Sequence, residues 1–307
     1  MYNNFYGFHE APFNMTPNPR FFFSSAKHAE ALDSLVYAIS ERKGFVVITG
    51  EIGSGKTTVC RTLLSRLNAK TEVALITNTH LSGRDLLETV LEDLEIEYKP
   101  GSKSKLLSRL NQYLIEQLRK DHNVVLLIDE AQNLTPSVLE EVRMLSNLET
   151  ETEKLIQIVL MGQPELKKKL ALNRLEQLRQ RITVFYHLSP LTSQEAKEYI
   201  SHRVKVASGS DRPYFTDGAI YLVYKFSKGV PRLINQICDS ALLSGYIAEV
   251  KIIDEKIMSE VIAESPFEQI GAGILLKTDH PDAAPVHKIN NQAQEPNNDQ
   301  INAGIGS

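Results

Sequence analysis

The sequence predicts an α/β fold: a parallel five-stranded sheet between helices, followed by a small all-α domain. Three observations carry this. Short apolar runs alternate with helical patterns up to residue 188, the signature of parallel strands joined by helices. From residue 192 onward only helical patterns occur. Within the first part, an apolar run, a glycine-rich loop and a helical pattern follow one another over residues 45–67.

The elements follow in order. Residues 1–23 carry Tyr2, Phe5, Tyr6, Phe8, Phe13, Phe21, Phe22 and Phe23, with prolines at 12, 17 and 19 that break regular structure. This aromatic segment is expected to dock on the core and to wall part of a base-binding site. Ser24 or Ser25 caps a helix to Ile39, with Ala29, Leu32, Leu35, Val36 and Ile39 on one face. Strand one is 45–49, and the helix after the glycine loop runs to about 67. Strand two is 73–77, with helices at about 83–95 and 103–120. Strand three is Val124 to Ile128. Thr135-Pro136 opens a helix to about 148 with a cap and an N1 proline. Strand four is 155–161, short helices cover 164–172 and 174–181, and strand five is 182–188. Thr192-Ser193-Gln194-Glu195 is a capping box, and helices follow at about 193–207, 216–226, 231–247 and 254–263. The expected division is an aromatic segment 1–23, an α/β domain 24–190, a helical domain 191–266 and a polar, disordered tail 267–307.

Residues 50–57 read Gly-Glu-Ile-Gly-Ser-Gly-Lys-Thr, the G-x-x-x-x-G-K-T phosphate-binding loop of P-loop NTPases. Its glycines let backbone N–H groups approach phosphates, and the helix behind it offers its N-terminus to the anion. Gly50, Glu51, Ile52, Gly53, Ser54, Gly55, Lys56, Thr57 and Thr58 are therefore the expected nucleotide-binding residues. Lys56 reaches the β- and γ-phosphates, and the Thr57 hydroxyl ligates Mg²⁺. Val124 to Ile128 is followed by Asp129-Glu130 at the carboxyl end of a buried strand, where ligands bind in open α/β sheets. Asp129 is read as a Mg²⁺ ligand and Glu130 as the group that polarises the attacking water. The expected cofactors are ATP and Mg²⁺.

Gln163 ends strand four and either senses the γ-phosphate or makes a simple turn. Among Arg174, Arg179 and Arg181, Arg181 stands at the entrance of strand five and could reach a neighbouring subunit's nucleotide; a surface ion pair is the alternative. Gly229-Val230-Pro231-Arg232 opens a helix with a cation in its first turn, where the helix dipole disfavours one. That placement suits contact with phosphates.

The bulk numbers set limits. The chain has 307 residues, 42% of them hydrophobic, enough for one large or two modest cores. A net charge of −4 supplies no global field for nucleic acid. The two cysteines, Cys60 and Cys238, lie in apolar helical patterns and read as buried thiols. The N-terminus has no signal-peptide pattern and no apolar run is long enough to span a bilayer. A cytoplasmic protein, peripheral at the inner membrane if attached, is the expectation.

In combination these features resemble AAA+ ATPases of the ExeA/GspA general-secretion group, which includes MshM-like and exosortase-locus ATPases. The resemblance rests on Tyr2…Phe5-Tyr6-Gly7-Phe8…Pro12-Phe13…Pro17-Asn18-Pro19-Arg20-Phe21-Phe22, on His28-Ala29-Glu30-Ala31-Leu32 and on Gly44 to Glu51. Asp129 to Leu134, Met161 to Leu166 and Gln180-Arg181-Ile182 also fit. The resemblance implies an AAA+ core with a helical lid, and a homo-oligomer with nucleotide between subunits. It assigns catalysis to Glu130 and Lys56, the arginine finger to Arg181, sensor 1 to Gln163 and sensor 2 to Arg232. Asn78, ending strand two, could hold Glu130 in an inactive pose. Well-known members continue into a transmembrane helix and a peptidoglycan-binding region, so this chain is expected to need a membrane-protein partner.

Two functions compete, beside a nucleotide-gated scaffold with negligible turnover, against which the intact Glu130 counts. One is an ATPase that powers or switches assembly of an envelope system for type II secretion, pili or exopolysaccharide export. The other is a DNA-directed ATPase such as a TniB-like transposition helper. Lys167-Lys168-Lys169 with Arg174, Arg179 and Arg181 would serve a DNA stripe or a subunit interface.

Overall fold

The computed structural model describes residues 1–16 and 18–265, so the expected tail at 267–307 lies outside the described residues. A short helix α1 (Tyr2–Tyr6) is followed by an irregular stretch and by α2 (Ala26–Ser40), capped by the Ser25 side chain. The chain then alternates through β1 (Phe45–Gly50), α3 (Lys56–Arg66), β2 (Thr71–Ile76), α4 (Gly83–Asp93), α5 (Lys103–Arg119), β3 (Asn123–Ile128), α6 (Pro136–Leu145), β4 (Gln157–Gly162), α7 (Pro164–Leu170), α8 (Glu176–Arg179) and β5 (Val184–Leu188). Helices α9 (Ser193–Ser208), α10 (Asp217–Ser227), α11 (Pro231–Ile247) and α12 (Glu255–Glu264) complete it. The described residues form one compact unit, a five-stranded parallel sheet between helices followed by an all-helical part.

The strands are parallel, in the order β2-β3-β4-β1-β5. The three central strands are buried on both faces, which is why they read as unbroken apolar runs. Alternation sorts their side chains between two layers. Val46, Ile48, Val125, Leu127, Val159 and Met161 meet α2 and α3. Phe45, Val47, Leu126, Ile128, Ile158 and Leu160 meet α4 to α7. Truncating one of these, such as Leu126→Ala, would cost about 2–5 kcal/mol. This topology sets the C-terminal ends of β3, β4 and β1 side by side.

Two strands start later than their apolar pattern. Residues ahead of β4 fold back, with Leu155 N donating to Leu148 O and Glu149 bridging Lys154. Ahead of β5, the Thr183 hydroxyl donates to the carbonyls of Lys43 and Phe45. The helix expected at 174–181 is a 3₁₀ turn (Asn173–Leu175) plus the four-residue α8.

The aromatic segment packs on two different cores. Tyr6, Phe8, Phe13 and Phe21 belong to the core of α9–α12. Gly245 in the last turn of α11 makes room: a Cβ there would stand 2.5 Å from the Tyr6 hydroxyl and 2.3 Å from Ile253 Cδ1. Phe22 turns the other way, onto the layer formed by α2 and α3, while Phe23 packs on the helical core. The segment thus stitches the helical part to the α/β part. Cys60 and Cys238 are both free and buried.

Candidate functional site

The phosphate loop leaves β1 and turns through Gly53 (φ 80°) and Gly55 (φ 99°), both left-handed. Side chains would be strained at both positions. Gly55 is also the N-cap of α3, so the first turn of that helix faces the loop. Lys56 is buried at 6% exposure, and its Nζ donates to the carbonyls of Gly50 (2.7 Å) and Glu51 (2.9 Å). Burial pushes its pKa below the usual lysine value, opposed by the carboxylates of Glu130, Asp129, Glu51 and Glu165. Thr57 and Ile52 are exposed at the loop, and Thr58 is half-buried behind it.

Asp129 and Glu130 follow β3. Burial raises the Asp129 pKa and the charge of Glu130 adds to this, against hydrogen bonds from Glu130 N and the Thr57 side chain and the charge of Lys56. Thr57 and Asp129, from different strand ends, are therefore joined. Glu130 has left-handed backbone (φ 50°, ψ 35°). Its Oε2 accepts from Gln132 Nε2 at 2.6 Å and from Gln163 Nε2 at 3.2 Å. Gln163 N donates in turn to Gln132 Oε1 at 3.0 Å. Gln163 comes from the strand between β3 and β1, which is why it stands beside the carboxylate.

Asn78 does not hold Glu130. Its side chain is exposed and accepts from His80 N at 3.2 Å, closing a local turn. The tie expected of it is made by Gln132 and Gln163.

Arg232 begins α11 against the phosphate loop. Its N–H donates to Gly53 O at 3.3 Å, and its exposed side chain lines the same cleft as Lys56 and Thr57. That cleft, of about 300 Å³, runs from the loop between Asn14–Phe23 and helices α9 and α11. Arg181 is not brought here. It lies ahead of Val184, which pairs with Val46, while the loop leaves beyond Gly50, paired with Leu188. Its charge acts on Glu149 at the opposite end of the sheet.

Three residues of the site escaped the sequence reading. His28 Nε2 donates to Ser54 O at 3.1 Å, and its Nδ1 meets Ser25 Oγ at 2.7 Å. Because the carbonyl only accepts, Nε2 carries a proton. Arg203, 7% exposed, donates to Pro12 O (2.6 Å), Asn14 O (3.3 Å) and the Tyr199 hydroxyl (2.9 Å), and stacks 4.8 Å above Phe21. It straps the aromatic segment to α9. Gln132 is the third. Only His28 had a local signal, three residues after a capping serine.

The basic run on α7 is partly spent on the fold. Lys169 Nζ donates to Leu134 O at 2.7 Å and to Gln132 O.

With this geometry in view, likeness to known proteins becomes informative. Residues 39–170 match the AAA domain model. The chain is 45% identical over 247 residues to general secretion pathway protein A of Aeromonas hydrophila, covering 80% of this chain. It is a homologue of that protein. The match takes in 45% of the relative, so the chain spans about half the length of the curated relative it matches. Among solved structures, an ORC2 protein of Aeropyrum pernix in ADPNP-ADP complexes superposes with a TM-score of 0.63 at 14% identity, covering 86% of this chain and 74% of that one. CDC6P of Pyrobaculum aerophilum gives 0.60 at 17%, covering 87% and 73%. The RuvB Holliday junction branch migration motor of Thermotoga maritima gives 0.53 at 19%, covering 79% and 70%. At these identities the likeness is one of fold. No helix among the described residues is long and apolar enough to cross a membrane.

Proposed function

We propose that this chain is an ATPase, converting ATP to ADP and phosphate, that powers or switches assembly of a bacterial envelope system such as type II secretion, a pilus or exopolysaccharide export. The observation that carries the catalytic part is the meeting of Lys56, the Thr57–Asp129 pair and Glu130 beyond the ends of β1 and β3, the strands on either side of β4. ATP lies in the cleft with its phosphates on the α3 N-terminus, and Lys56 exchanges the loop carbonyls for phosphate oxygens. The hydroxyl of Thr57 and the carboxylate of Asp129 are hard oxygen donors that suit Mg²⁺, which keeps waters and phosphates as its other ligands. When bound, that ion neutralises phosphate charge. Glu130 accepts the proton of the water that attacks the γ-phosphorus, as the bond to the bridging oxygen of ADP breaks. Gln163 and Arg232 contact the γ-phosphate from either side. The base rests between Asn14–Phe23 and α9–α11.

Homology to general secretion pathway protein A supports the envelope reading. A homo-oligomer with nucleotide between subunits gives Arg181 a role, since it lies far from its own chain's phosphate loop. A membrane-protein partner would recruit the assembly. DNA as the partner has weaker support, because Lys169 is turned inward onto backbone carbonyls.

The deciding experiment is ATP hydrolysis by the full chain with Mg²⁺. Glu130→Gln should bind ATP and turn it over about a hundredfold or more slowly, while Lys56→Ala should lose binding. Normal turnover in Glu130→Gln would remove the catalytic assignment.

A further inference from the structure

We infer that Gln132 is a positioning residue for the hydrolytic step, acting through Glu130. The inference rests on Glu130 being the group that takes the proton of the attacking water. A glutamate side chain on a turn has freedom to swing, and catalysis needs it held within a fraction of an ångström. Gln132 supplies the hold with both ends of its amide. Its Oε1 accepts from Gln163 N at 3.0 Å and its Nε2 donates to Glu130 Oε2 at 2.6 Å. A backbone N–H can only donate, so it forces the amide oxygen toward itself and the NH₂ toward the carboxylate. The orientation of Gln132 is thus set by β4, and Glu130 Oε2 is tied by two amides. The other carboxylate oxygen remains for water.

Two further features serve the same arrangement. Lys169 bonds the carbonyls of Gln132 and Leu134, pinning the turn that carries the amide. Gly162 has no left-handed backbone to explain it. A Cβ on it would stand 2.8 Å from Gln132 Oε1, its nearest neighbour, and 3.0 Å from Leu166 Cδ2, so glycine leaves the space that the amide and Leu166 fill.

The test uses the full chain with Mg²⁺ and ATP. Gln132→Met keeps the length and removes the hydrogen bonds. Gly162→Ala displaces the amide tip without touching it chemically, and guards against a Gln132→Met variant that fails to fold. Each should lower kcat about ten- to a hundredfold, with KM, affinity for a fluorescent ATP analogue and melting temperature near those of the parent. In a Glu130→Gln background, Gln132→Met should lower kcat no further, because one residue acts through the other. Parental or faster turnover in a folded Gln132→Met variant, or in Gly162→Ala should Gln132→Met fail to fold, or an equal loss in the Glu130→Gln background, would overturn the inference. A Glu130→Gln variant with normal turnover would overturn the catalytic reading and this inference together. A slow Glu130→Gln beside an unaffected Gln132→Met would overturn the inference alone.

Discussion

His28 Nε2 donates to the Ser54 carbonyl at 3.1 Å, so the first turn of α2 braces the phosphate loop from outside its own strand–loop–helix unit. The bond holds a loop whose two glycines would otherwise leave it loose. His28→Ala should weaken ATP binding about tenfold, read by titration with a fluorescent analogue. Unchanged affinity would mean the loop holds itself.

The same histidine sets a pH dependence. Burial lowers its pKa below the ordinary value, against the Ser54 carbonyl and the charge of Glu195. In the window below the unfolded value of about 6.5, the unfolded chain binds the proton more readily. Stability therefore rises with pH there, and is lost as pH falls toward the folded pKa. Melting temperatures should drop on acidification through that window more steeply in the parent than in His28→Gln.

Arg203 is a buried cation satisfied by carbonyls, a phenol and an aromatic face. Replacing it by Met strands the acceptors of Pro12 and Asn14 and should cost about 1–3 kcal/mol. Limited proteolysis within residues 1–23 should accelerate in the same variant. A resistant segment would show that the aromatic rings alone hold it.

Arg232 anchors to Gly53 through its backbone N–H and offers its side chain to the cleft. Arg232→Ala should leave the melting temperature unchanged and weaken binding of ATP more than of ADP. Equal weakening for both nucleotides would remove contact with the γ-phosphate.

Arg181 lies at the end of the sheet away from its own phosphate loop. Arg181→Ala should lower turnover only at protein concentrations where subunits associate. Mixing it with a Lys56→Ala variant, whose own site is empty but whose Arg181 is intact, should restore activity. An equal loss at every concentration would sink the finger assignment.

Local chemistry made much of this protein legible. The loop Gly50 to Thr57 declares its job within eight residues, because cradling a phosphate needs consecutive backbone N–H groups and glycines to expose them. Val124 to Ile128 reads as a buried strand because both faces are covered, and Asp129-Glu130 then fall at its carboxyl end. Capping residues announced α2, α6 and α9.

Contacts between distant segments were illegible. The sequence offered Asn78 as the residue that holds Glu130, but the strand order puts β4, and so Gln163, not β2, between Glu130 and the phosphate loop. Gln132 is an ordinary residue until its amide meets β4. The aromatic segment advertised burial but not its address, because hydrophobic attraction has no direction and either core would accept a ring. The sequence by itself determined the nucleotide chemistry and the α/β-then-helical order, since both are written in neighbouring residues. Only the tertiary structure decided which side chains hold Glu130, what braces the phosphate loop and where residues 1–23 rest. Those depend on strand order and on shape complementarity between segments far apart in the chain.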